Sequence, residues 1–83
     1  MEEEVGKVQK FFAQPSVAAI EVTAGVVKVG DTLHFKGHTT DFEETVTSMQ
    51  VDREAIEEAK PGDLIGIRVK ERVREHDTVF KVV

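Results

Sequence analysis

The sequence predicts an all-β domain, a small closed barrel of short strands, and three observations carry that expectation. A Gly-Asp pair occurs in Val29-Gly30-Asp31-Thr32-Leu33 and again in Pro61-Gly62-Asp63-Leu64-Ile65, each time followed by a β-prone run. Glycine permits the positive φ of a tight turn, and aspartate can tie its side chain to backbone amides just downstream. Gly30-Asp31 and Gly62-Asp63 therefore read as turns that launch strands. The runs between turn signals are short and rich in Val, Ile, Thr and Phe, residues that suit a pleated, half-buried surface. No long helical pattern separates the two launches. Closure into a barrel also removes exposed edges, which a small β protein must manage.

Taken in order, Val5 to Phe12 is mixed, with Val5, Val8, Phe11 and Phe12 apolar and Lys7, Gln9 and Lys10 between them. Pro15 breaks the chain. Ser16 to Thr23, with Val17, Ala18, Ala19, Ile20 and Val22, reads as a short buried strand, and Ala24-Gly25 as a turn. Val26, Val27 and Val29 favour a strand through β-branching. Thr32 to Lys36 alternates, placing Leu33 and Phe35 on one face and Thr32, His34 and Lys36 on the other. Residues 37–41 form a polar loop, and Phe42 to Val51 is β-rich. Asp52 to Lys60 holds helix formers, an N-cap candidate in Asp52 and a stop at Pro61. A two-turn helix and an extended segment both remain open there. Leu64 to Val73 is the cleanest strand, His76-Asp77 turns the chain, and Thr78 to Val83 closes it.

At 83 residues the chain makes one domain, expected to comprise an acidic tail over residues 1–4 and a single barrel over 5–83. A domain this small buries only about 60% of its unfolded surface, so it has one core. With no cysteine, disulfides, thiolate metal sites and cysteine nucleophiles are excluded. The start Met1-Glu2-Glu3-Glu4 lacks a basic, apolar leader, and no apolar run approaches a membrane span; a cytoplasmic protein is expected. The net charge of −5 argues against a surface that is basic throughout, though not against a local basic face. Charged residues make up 33% of the chain while Asn and Cys are absent, a habit of thermophile proteins.

The order Gly6-Lys7-Val8, Gly25-Val26-Val27-Lys28-Val29-Gly30-Asp31, Val46-Thr47-Ser48-Met49-Gln50 and Ala59-Lys60-Pro61-Gly62-Asp63-Leu64-Ile65-Gly66-Ile67 resembles the second domain of translational GTPases such as elongation factor Tu. That resemblance runs from Val5 to the C-terminus and implies a six-stranded Greek-key β-barrel. A second resemblance is at least as close. Gly37-His38-Thr39-Thr40-Asp41-Phe42, Val46-Thr47-Ser48-Met49-Gln50 and Val73-Arg74-Glu75-His76-Asp77 look like the C-terminal barrel of the collagenase-like peptidases, many of which act in tRNA hydroxylation. In both families the barrel is an accessory part. No phosphate-binding loop of the Gly-x4-Gly-Lys-Ser/Thr kind and no peptidase-like domain accompanies it here, so neither resemblance carries GTP hydrolysis or proteolysis onto the chain.

Arg68, Lys70, Arg72 and Arg74 share one parity of the last long strand, with Ile67, Val69 and Val73 on the other. They make a basic ribbon about 20 Å long that could follow a nucleic-acid backbone through phosphate contacts. The competing reading is a solvated face, its cations paired with Glu21, Glu43, Glu44 or Glu54. His34, His38 and Asp41 form a loose metal-like constellation with no fourth ligand and read better as a polar rim, so no metal or cofactor is expected. His76 beside Asp77 reads as turn chemistry. Ser16 and Ser48, the only serines, lack a strained elbow or a His-acid pair. Of the adjacent Phe11 and Phe12 only one can point inward if the segment is a strand, leaving the other for the barrel end or a partner. The expectation is a protein that is not an enzyme: a stand-alone module binding RNA (tRNA or ribosomal RNA) or a translation-related or tRNA-modification protein. The alternative is a protein-interaction or homodimerisation module from a multidomain enzyme.

Overall fold

The computed structural model describes residues 1–83, and every regular element in it is a strand: β1 (Glu2–Phe12), β2 (Val17–Val22), β3 (Val27–Lys28), β4 (Thr32–Lys36), β5 (Asp41–Thr45), β6 (Met49–Val51), β7 (Glu54–Ile56), β8 (Glu58–Ala59), β9 (Leu64–Arg68) and β10 (Thr78–Val82). Alternation puts one set of side chains inside. Ala18, Ile20 and Val22 of β2, Leu33 and Phe35 of β4, and Ile65 and Ile67 of β9 are buried. They join one core cluster of 17 residues that draws on both sheets, with Phe35 stacked on Phe42 at 5.1 Å between ring centroids.

β1 obeys a different arithmetic. Val5 and Val8 are both buried although three positions apart, which strict alternation forbids. The register slips between Glu4 and Gly6 against β10, and again between Val8 and Lys10 against β2. These bulges restore the inward parity. Gly6 sits where two backbones approach closely: a Cβ there would overlap the carbonyl oxygen of Glu21. Beyond the second bulge Phe11 is half-buried and Phe12 lies exposed.

Eight strands pair in the order β5-β4-β10-β1-β2-β9-β6-β7, and β3 and β8 form a separate pair. The all-β expectation holds; the ladder runs through eight strands without closing on itself, with a two-stranded companion, and closure into a six-stranded Greek-key barrel is not seen in the pairing. β5 and β7 remain edges. β7 is only three residues long, and β5 carries Asp41, Glu43 and Glu44; short and charged edges resist further pairing. The β5 edge is tied to the segment after β9 by a side chain instead of a ladder, with Lys70 N–H donating to the Glu44 carboxylate at 2.7 Å.

Three expected segments differ. Glu2, Glu3 and Glu4 open β1 and pair with Val82, Lys81 and Phe80, so they belong to the sheet instead of forming a tail. At the far end Val83 N–H donates to the Met1 carbonyl at 2.8 Å, setting the two chain ends side by side. Residues 52–60 are extended: Asp52 and Arg53, both at positive φ, form the two-residue turn of the β6–β7 hairpin, so Asp52 caps no helix. Pairing of Val27 with the fully buried Ala59 outweighs helix propensity there. The last long strand ends at Arg68, short of the expected Val73. Ser16 extends the β2–β9 register by one more pair, its carbonyl accepting from Val69 N–H at 3.0 Å and its hydroxyl donating to the Val69 carbonyl at 2.8 Å, and the ladder ends there.

The Gly-Asp turns form with Gly30 at φ 99° and Gly62 at φ 97°. Their aspartates reach upstream, not downstream as expected: Asp31 accepts from Lys28 N–H at 2.8 Å and Asp63 from Lys60 N–H at 2.9 Å. Asp77 does the same to Arg74 N–H at 2.8 Å, with His76 at φ 73° in the glycine's place. One turn is thus used three times, always with a basic residue first.

Candidate functional site

Two surface regions hold the chemistry-bearing side chains. The first contains the expected cations. Arg68, Lys70, Arg72 and Arg74 are all exposed, and the buried Val69 and Val73 preserve part of the inward pattern. None of the four cations is ion-paired: the ion pairs of the protein are Lys28–Glu58, His34–Glu2, His34–Asp41 and Lys81–Asp31.

The four cations do not form a straight ribbon, because the strand ends at Arg68 and the chain then bends. Arg68 lines a hollow beside Ser48 and Gln50. Lys70 lines another beside Glu43 and Glu44. Arg72 and Arg74 share a groove of about 410 Å³ with Lys10, Phe11 and Glu75. The Arg72 guanidinium lies 6.0 Å from the Phe11 ring centroid, and Lys10 Nζ lies 5.3 Å from that of Phe12, at cation–π range. Arg74 Nε donates to Thr39 Oγ1 at 2.8 Å. Lys10 was missed from sequence because it stands far along the chain from Arg72; the β1 bulge that displaces Phe11 was the absent clue.

The second region is centred on His34, on the outer face of β4. Its Nδ1 lies 2.6 Å from a Glu2 carboxylate oxygen and its Nε2 lies 2.5 Å from Asp41 Oδ1. The Asp41 hydrogen bond, joined by that of Glu2, raises the His34 pKa against the opposing effect of burial; His34 in turn lowers the Asp41 pKa. Of the constellation His34, His38 and Asp41, the structure brings together His34 and Asp41. His38 lies exposed in the loop between β4 and β5. Glu43, opposite His34 on β5, and Glu2 complete the cluster. Glu2 was missed because its segment was read as a tail.

Neither serine stands beside a histidine–acid pair. Ser16 spends its hydroxyl on Val69, and Ser48 lies in the Arg68 hollow.

No family model matches the chain. Over 78 residues it is 41% identical to an uncharacterised protease of Methanocaldococcus jannaschii and 33% identical to a collagenase of Porphyromonas gingivalis. The aligned stretch is 93% of this chain but 19% and 22% of those proteins, so the chain spans about a fifth of their length. Among solved structures, the C-terminal domain of a protein described as a U32 peptidase from Geobacillus thermoleovorans superposes with a TM-score of 0.89, covering 98% of this chain and 93% of that one at 17% identity. Its selenomethionine variant superposes with a TM-score of 0.86 at 16% identity, covering 93% of this chain and 96% of that one. The likeness to these structures shows the fold. The resemblance to the collagenase-like peptidases therefore stands, while none of these proteins is named as a translation factor. The expectation of a protein that is not an enzyme is overturned: over nearly its whole length the chain is similar to part of a protease and of a collagenase.

Proposed function

We propose that this chain works as the C-terminal β-domain of a U32-type peptidase, contributing a docking surface to an enzyme. The observation that carries this reading is identity of 33–41% across 93% of the chain to a collagenase and a protease several times its length. The docking surface is the groove of Lys10, Phe11, Arg72 and Arg74, where cations unpaired with carboxylates flank a half-buried aromatic. Aromatic and arginine side chains in a partly desolvated hollow are the usual energetic anchors of protein interfaces. Its partner is a protein surface of opposite charge, either the remainder of the enzyme or its polypeptide substrate.

A domain exchange tests this. The 78-residue matching segment of the P. gingivalis collagenase is replaced by this chain, and collagen cleavage is followed. The exchanged enzyme is expected to cleave collagen, and the joint substitution Phe11→Ala, Arg72→Ala, Arg74→Ala to lower kcat/KM at least tenfold. If deleting the segment altogether leaves cleavage unchanged, the reading fails.

A second reading, RNA docking, is favoured by the same cations lying free beside Phe11, since backbone phosphates and a stacked base need that combination. Binding to total tRNA and to ribosomal RNA across a salt series distinguishes it. Three phosphate contacts at about 0.7 per phosphate give a log–log slope near −2, which shrinks when Lys10, Arg72 and Arg74 are neutralised. Neutralising Arg68 and Lys70, which lie in other hollows, changes it less. Absence of binding at low salt removes this reading.

A further inference from the structure

We propose that His34, Glu2 and Glu43 form a binding site for a divalent cation of the zinc class. The donor atoms of these three side chains all lie within 4.8 Å of one another. They are delivered by three different strands, β1, β4 and β5, and two of those flank β10, whose Phe80 ring lies 6.2 Å from the His34 ring. The site rests on sheet and not on loop. His34 opposes Phe80 on one side and Glu43 on the other, so the backbone ladder fixes two of the three ligands.

A second observation, independent of the ligand count, concerns the other ring nitrogen. His34 Nε2 faces Asp41 Oδ1 at 2.5 Å while Nδ1 faces Glu2. A carboxylate holding one imidazole N–H, with the opposite nitrogen aimed at further carboxylates, is the arrangement that orients a metal-ligating histidine and raises its basicity. Asp41 is then a positioning residue, and Nδ1 the ligand atom.

Charge points the same way. Three carboxylates, Glu2, Asp41 and Glu43, surround one imidazole, with Lys36 opposite Asp41 as the other nearby cation. A divalent ion on neutral His34 neutralises Glu2 and Glu43, and Asp41 keeps the Nε2 hydrogen bond. One imidazole with two carboxylates suits zinc and neighbouring first-row ions; calcium and magnesium prefer oxygen throughout. Three protein ligands leave a further coordination position for water. The His34 side chain is only 15% exposed, whereas Glu2, Glu43 and Asp41 lie at the surface, so the site opens to solvent around a half-buried imidazole. The inference is independent of the proposed docking function, whose residues lie elsewhere.

The test is calorimetric titration of chelator-stripped protein with Zn²⁺ near neutral pH. One equivalent is expected to bind. His34→Ala and Glu43→Gln should each weaken binding at least tenfold. Asp41→Asn should weaken it 10- to 100-fold, the usual cost of removing a partner of a metal-bound histidine. His38→Ala and His76→Ala should leave it unchanged, and Ca²⁺ should not compete. Glu43 is an exposed edge residue, so Glu43→Gln keeps the test valid should His34→Ala lose its fold. Saturable binding that survives Glu43→Gln and His34→Ala, binding that follows His38 or His76, or no saturable binding would each overturn the proposal.

Discussion

His76 stands where Gly30 and Gly62 stand in the two sister turns, at φ 73° on a side chain that gains nothing from that conformation. Left-handed backbone costs a non-glycine residue about 1 kcal/mol or more. His76→Gly is therefore expected to raise stability by roughly 0.5–1 kcal/mol, read as a higher urea midpoint with an unchanged slope. Asp77, buried and bonded to Arg74 N–H, should show the opposite: Asp77→Ala frees a backbone donor and costs about 1–3 kcal/mol. The Gly-Asp phrase was legible in the sequence twice. His76-Asp77 was also legible as a turn, though not as a third copy of the phrase, because histidine masks the glycine signal while the Asp and the basic residue three positions earlier remain.

His34 gives a pH dependence whose sign follows from its partners. Its pKa is raised in the folded protein, chiefly by Asp41, above about 6.5 in the unfolded chain. The stabilisation is fully present below that unfolded value and is lost as pH rises through the folded one. Asp41 is lowered, so its share is present above its unfolded pKa and lost as pH falls through the folded one. In the presence of a chelator, unfolding free energy should decline from slightly acid to alkaline pH, and His34→Gln should flatten that decline. An identical pH profile in the variant would contradict the assignment.

Among elements, β1 controls most of the register. Its two bulges let Val5 and Val8 reach one core, and Gly6 makes the first of them feasible. Gly6→Ala is expected to cost about 1–3 kcal/mol, the usual penalty for forcing atoms into filled space, with amide exchange accelerating in β1 and β2 before β4 and β5. From sequence, Val5, Val8, Phe11 and Phe12 fit neither a helix nor a strand cleanly, and the bulges are the physical reason. The alternating stretches Val17–Val22, Thr32–Lys36 and Leu64–Arg68 were legible because one buried face fixes their parity. Residues 52–60 were not, since their local preference for helix is reversed by a partner strand, β3, that lies far away in the chain.

At the scale of the molecule, the all-β class was legible from turn spacing and β-branched runs, whereas closure was not. The pairing leaves β5 and β7 as edges, and the β5 edge is held by Lys70 N–H, beyond the end of β9, donating to the Glu44 carboxylate. Glu44→Ala should therefore loosen the β5 edge with little effect on the core, seen as faster amide exchange at Lys70 and residues 41–45 and a midpoint shift within about 0.5 kcal/mol. The site residues divide similarly. Single-strand parity predicted the exposure of Arg68, Lys70, Arg72 and Arg74, but the grouping of Arg72 and Arg74 with Lys10, and of His34 with Glu2, depends on contacts between strands far apart in the sequence.

The adjoining positions of Met1 and Val83 have a topological consequence. Traced through space, the polypeptide is almost a ring that happens to be cut between β10 and β1. A short linker joining Val83 to Met1, with new ends opened between Asp52 and Arg53 in the exposed β6–β7 turn, should give a circular permutant that folds cooperatively to the same far-ultraviolet spectrum. A permutant that never reaches that spectrum would show that the order of synthesis matters to this fold. In the expected outcome the unit behaves as a cassette, entered and left at one point, which can be spliced into a surface loop of another protein without pulling its host apart.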